Sequence, residues 1–167
     1  MRTCRQYLDS YAASHRNPAN QIIHMICVPA IFASSVGLAW SVPVYRLIPG
    51  TAGNWAHWLN LGTLAGAPLL AFYWRLGLSS SLTGALWLAA SYAACAVIES
   101  AKFPLLWVSL AVWITAWLAQ FYGHKVEGAK PSFTEDILFL LVGPLFVSDK
   151  LCRLFRTGLD RAQEQPR

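Results

Sequence analysis

Four long stretches of this chain carry no formal charge. Met25 to Tyr45, Leu47 to Trp74, Leu76 to Ile98 and Phe103 to His124 contain no Asp, Glu, Lys or Arg. About 20 consecutive apolar residues cross a bilayer as a helix, so each stretch is long enough. Pro43, Pro49, Gly50 and Gly53 punctuate the join between the first two stretches. The pattern therefore predicts spans at about 22–42, 56–75, 79–98 and 104–124.

Two shorter elements flank them. Residues 2–14 read as a helix with Tyr7, Leu8 and Tyr11 on one apolar face, ended by His15-Arg16-Asn17-Pro18. The residue before a proline disfavours the α region, and Asn17 and Pro18 suit the N-cap and first position of a new helix. Near the other end, only 12 residues from Ile137 to Ser148 lack charge, with Gly143-Pro144 among them. That is short for a crossing and predicts a re-entrant or buried helix over about 135–156. The expected fold is an all-α, polytopic membrane helix bundle: one domain over 1–167, with four spans and this short C-terminal helix.

Composition supports the membrane reading. Hydrophobic residues are 56% of the 167 and charged residues 13%, half the share usual in soluble domains. Eight Trp and six Tyr suit the lipid–water interface. The net charge of +5 does not point to nucleic acid, because Lys and Arg lie at the ends of apolar stretches rather than in a basic, aromatic-interleaved module. Residues 1–20 are too polar for a signal peptide. The four cysteines form no CxxC and read as free thiols.

The basic residues also set an orientation. Arg2, Arg5, Arg16, Arg75, Lys125, Lys130 and the tail fall on one side, leaving Arg46 and Lys102 for the other. The positive-inside rule then puts both termini in the cytoplasm, in an inner membrane if the source is bacterial or the endoplasmic reticulum if eukaryotic. Glu99 and Lys102 read as an interfacial pair on the far side.

This topology sorts the histidines. His15, His24 and His124 reach the cytoplasmic face, and His57, beside Trp55 and Trp58, reaches the other. His15 and His24 are nine apart, half a turn out of phase on one unbroken helix, but the Asn17-Pro18 break lets them converge. Asn20 with His24, and Gln120 with His124 and Glu127, share helix faces. Histidines with a carboxylate suit Fe, Zn, Mn or Ni. Three neutral donors with an open position suit O₂ chemistry or hydrolysis. Ionisable groups at membrane depth are functional candidates. The plain alternative is histidines that satisfy one another. Arg16 and Lys125 are candidate substrate contacts, although headgroup anchoring explains Lys125 and Lys130 equally.

Tyr11-x-x-x-His15-x-Asn17-Pro18-x-Asn20-x-x-x-His24 with Val28-Pro29, then Gln120-Phe121-x-Gly123-His124 with Glu127 and Pro131, resembles the two motifs of the Mpo1-like membrane proteins. The resemblance covers most of the chain. It implies an Fe(II)-dependent dioxygenase that shortens 2-hydroxy fatty acids by one carbon, using O₂, with His15, His24 and His124 as catalytic, metal-binding residues. It implies Glu127 as a further ligand, but the fungal members place that acid four residues after the histidine and the proline eight after. Here the spacings are three and seven, so ligand, ligand-orienting partner and helix-end acid all stay open for Glu127. Asn17, Asn20, Gln120, Arg16 and Lys125 would orient ligands or contact substrate. Two rival readings remain: a metal-dependent lipid hydrolase or hydroxylase, with zinc as the alternative metal, and a non-catalytic lipid-binding or scaffold protein.

Overall fold

The computed structural model describes residues 3–13, 15–50, 53, 55–128 and 141–154. All regular structure among them is helical: α1 (Cys4–Ala13), α2 (Pro18–Trp40), α3 (Leu61–Leu76), α4 (Leu78–Ser100) and α5 (Leu105–Glu127). Residues 141–154 form a further helix, here α6. The expected helix over 2–14 is α1. The expected one over 135–156 is described only for 141–154.

The break at Asn17 forms as its residue types dictate. The Asn17 side chain accepts the Ala19 N–H at 2.9 Å, and Pro18 sits in the first turn of α2. Pro29 lies inside α2 without ending it.

α5 packs along α2 and builds the core with it. Cys27, Ile31 and Ala116 are buried together, flanked by Ile23, Trp113 and Trp117. Small residues bring the two backbones close at both ends. A Cβ on Gly37 would strike the Ser109 side chain, and one on Gly123 would strike the Asn20 amide. Close approach through small residues is how helices associate in lipid, where burial from water supplies no drive.

Among the described residues, three helices are long and apolar enough to cross a membrane: Pro18–Leu47, Leu78–Ser100 and Leu105–Glu127. The second predicted span is not among them. Asn60 and Thr63 form a reciprocal cap that starts α3 at Leu61, and Gly77, at φ 118°, ends it. Its 16 residues rise about 24 Å, short of a full crossing. The residues before it turn instead, through short 3₁₀ pieces at Val44–Leu47 and Ala56–Trp58. α3 returns antiparallel to α4, with Gly66 against Tyr92 and Gly84 against Tyr73.

The C-terminal helix is a buried one over residues 142–147. It rests on the other helices through Phe146 against Tyr11 at 4.4 Å, Gly143 against Val28, and a Tyr73 hydroxyl donating to the Leu141 carbonyl at 2.7 Å. At the end of the bundle away from His24, Trp40 packs on Trp58 and Tyr92 and donates to Glu99. The expected Glu99–Lys102 pair is absent among the described residues. Glu99 takes the indole N–H instead.

Gly84→Ala tests the α3–α4 contact, because its methyl would enter the Tyr73 ring. Tyr73 is fully buried and tied to Leu141, so it cannot yield cheaply. We expect a loss of about 1–3 kcal/mol, read as a lower melting temperature in detergent.

Candidate metal centre

The site stands at the end of the bundle where α2 begins and α5 ends. His15 lies in the extended linker before α2, His24 on the second turn of α2, and His124 on the last turn of α5. All three are buried. Ring centroids are 4.3 Å apart for His15 and His24, 5.5 Å for His15 and His124, and 5.1 Å for His24 and His124. One nitrogen of each ring lies within 4.8 Å of the other two. His57 is exposed at the opposite end of the bundle, beside Trp58.

Local geometry orients two of the rings. His15 Nδ1 is 2.7 Å from the Tyr11 carbonyl, and His24 Nδ1 is 3.0 Å from the Asn20 carbonyl. A carbonyl oxygen only accepts, so both Nδ1 atoms carry the hydrogen and both Nε2 atoms of the neutral rings are lone pairs. Those Nε2 atoms face each other at 3.1 Å. Two facing lone pairs repel unless a proton or a metal ion lies between them. Two imidazole nitrogens on one ion, at about 2.0–2.1 Å each, stand roughly 3.0–3.4 Å apart. The donor set therefore fits a divalent metal of the imidazole-binding kind. Burial pushes the His15 pKa below its ordinary value, which keeps the ring in its metal-binding neutral form.

Tyr11 fixes His15 from outside. The two rings stack at 4.2 Å and 8°, and Phe146 backs Tyr11 from α6. The sequence pattern placed Tyr11 on an apolar face; only the fold shows that the face is the wall of this site.

Glu127 has other partners. Its Oε1 accepts the backbone N–H of Arg16 at 2.8 Å and of Asn17 at 3.1 Å. Its Oε2 accepts from Asn17 N–H at 3.0 Å and from the Asn20 amide at 2.9 Å. Three donors make these four contacts, the Asn17 N–H being shared between the two oxygens, so both oxygens are occupied as acceptors. Glu127 thus ties the end of α5 to the start of α2. It holds the backbone next to His15 and the side chain of the residue whose carbonyl orients His24. A carboxylate at a helix N-terminus also meets the positive end of the helix dipole.

The remaining candidates separate. Gln120 is buried one turn before His124, and Asn17 is half-buried as the cap of α2. Arg16 and Lys125 are exposed, and Arg16 enters the site through its backbone N–H. Lys130 lies outside the described residues. Two residues escaped the sequence reading. Gln21 donates to the His15 carbonyl at 2.7 Å, and Lys150 of α6 donates to the Gln21 side-chain oxygen. Gln21 had a faint signal, standing three residues before His24; Lys150 had none, because nothing in sequence brings α6 here.

The family model described as 2-hydroxy-palmitic acid dioxygenase Mpo1-like matches residues 1–154, and the chain belongs to the Mpo1-like family. A curated relative, the 2-hydroxy-palmitic acid dioxygenase MPO1 of Saccharomyces cerevisiae, is 29% identical over 156 residues, covering 92% of this chain and 81% of the relative. No solved structure matches.

Glu127→Gln tests the clamp. An amide keeps the shape but turns an NH₂ towards N–H donors. For a partly exposed group we expect about 1 kcal/mol of lost stability, with His57→Ala as an unaffected control, both read from thermal melts.

Proposed function

We propose, taking membership of the Mpo1-like family as the premise, that this chain is an Fe(II)-dependent dioxygenase that cleaves 2-hydroxy fatty acids to acids one carbon shorter. The observation that carries the metal is the convergence of His15, His24 and His124 with two Nε2 lone pairs facing each other. The reaction class comes from the relative's name, which specifies a dioxygenase of 2-hydroxy-palmitic acid.

In this reading the three histidines hold the iron. Bound iron(II) would supply O₂ activation and a seat for the hydroxyl and carboxylate of the acid. The chain's own residues do the rest. The Tyr11 and Asn20 carbonyls hold the Nδ1 hydrogens of His15 and His24, so each Nε2 is aimed and unprotonated. Such partners fix tautomer and ring direction and raise ligand basicity. Tyr11 and Phe146 shield the His15 side from water. Glu127 positions the linker and does not itself meet the substrate. Three protein ligands leave positions for substrate and O₂.

The membrane setting follows the same reading. The apolar helices place the site at one interface, where an amphiphilic acid arrives with its chain in the lipid. Arg5, Arg16, Arg75 and Lys125 lie towards the histidine end and Arg46 and Lys102 towards the other, so we assign the histidine end to the cytoplasm.

Protein purified without chelators should carry about one iron per chain by elemental analysis, one ion per three-histidine site. It should consume O₂ with 2-hydroxyhexadecanoic acid. His15→Ala, His24→Ala and His124→Ala should each lose the iron and the turnover, while Glu127→Gln should weaken iron binding by roughly 10- to 100-fold. Bound zinc with O₂-independent lipid hydrolysis would favour the hydrolase. Metal-free protein indifferent to all three histidine changes would leave only a scaffold.

A further inference from the structure

An apolar cavity of about 160 Å³ lies among α2, α3 and α4, with Leu141 of α6 at one wall. Ser35 and Ala39 of α2 and Ala65 and Gly66 of α3 line it, and their small side chains keep it open. Ala65 is exposed as well, so the cavity has a mouth on the lipid-facing surface.

Its place relative to the histidines is fixed by α2. His24, Val28 and Phe32 are buried at successive spacings of four, and Phe32 also lines the cavity. Helical rise puts the cavity between about 12 and 22 Å from His24 along the α2 axis, from Phe32 to Ala39. α6 runs beside the same stripe, with Leu141 at the cavity and Lys150 at the histidine end, donating to Gln21. Gln21 accepts one ammonium N–H of Lys150, and the same ammonium lies 6.0 Å from the centre of the Phe146 ring. The stripe has a cationic group at its histidine end and an apolar cavity at the other, the polarity order of a fatty acid, with Val28 packed against Gly143 between them.

Building on the proposed function, we propose that this cavity receives the far end of the substrate's alkyl chain and limits its length. The acid end lies at the histidines and Lys150. An acyl chain reaches about half the roughly 30 Å hydrocarbon core, near 15 Å, which passes Phe32 and stops short of Ala39. A dry apolar cavity of about 150 Å³ accepts a six-carbon ring, so this one takes the last several carbons rather than a whole chain. A chain arriving from lipid is already out of water, so room, not the hydrophobic effect, does the selecting.

Two measurements test this on the full chain in lipid nanodiscs. The first uses 2-hydroxyhexadecanoic acid with a diazirine at its chain end. Photolysis should label the Phe32–Ala39 stretch and α3 near Ala65, and unlabelled 2-hydroxyhexadecanoic acid should compete where excess phospholipid does not. Label spread over the lipid-facing surface, or displaced equally by phospholipid, would overturn the assignment and leave a bilayer lipid as the occupant. The second uses Ser35→Phe, which fills the cavity. Turnover of 2-hydroxyhexadecanoic acid should fall about tenfold or more, the scale of overpacking a filled site, while 2-hydroxyoctanoic acid stays within about twofold. An equal fall for both, or none, counts against the cavity. If the wild type turns over neither acid, the dioxygenase reading fails, and the photolabel still decides where the chain lies.

Discussion

The site depends on one carboxylate gripping the start of a helix. Glu127 closes α5 onto the N–H groups of Arg16 and Asn17 and onto the Asn20 amide. That grip ties the linker carrying His15 directly to α5, which carries His124. The grip is effective because the N–H groups before and at a helix start have no intrahelical partners and lie at the positive end of the dipole. Its two oxygens face the N–H donors of Arg16, Asn17 and Asn20, which is the geometry of an orienting partner, one of the three roles the sequence left open.

The rest of the bundle makes that corner possible. In lipid, helix packing relies on close van der Waals contact, and the glycines at Gly37 and Gly123 bring α2 and α5 together at both ends. Gly123 is adjacent to His124 and opposite Asn20, so the close approach and the polar cluster are one feature. Buried polar groups are tolerable when paired. Here the Asn20 side-chain NH₂ donates to Glu127 and its backbone carbonyl accepts from His24, while its side-chain oxygen is buried without a partner among the described residues, so Asn20 is shared by the clamp and the histidine cluster. α6 adds a wall. It backs Tyr11 with Phe146 and reaches the His15 linker through Lys150 and Gln21.

Much of this was legible along the chain, for reasons specific to the residues. Asn-Pro announces a helix start whatever surrounds it, so Asn17 and Pro18 were placed correctly. A polar Gln-His-Glu face at the end of an apolar stretch is costly in lipid, which singled out α5's end. The second apolar helix starts later than the sequence pattern predicts, because absence of charge does not define a helix. Asn60 caps where its side chain can meet Thr63, and the apolar residues before it turn instead. The Glu99–Lys102 pairing failed because proximity in sequence says nothing of Trp40, 59 residues away, whose indole reaches Glu99.

By itself, then, the sequence determined the helical class, the apolar scaffold and the break that frees His15 from the phase of His24, since these follow from local residue chemistry and periodicity. Only the tertiary structure decided how closely His124 approaches His15 and His24, that Glu127 grips the start of α2, and that Tyr11 stacks on His15 while Gln21 and Lys150 stand beside its linker. Those outcomes depend on which helix ends meet and how closely, and contacts between residues more than a hundred positions apart leave no local signal.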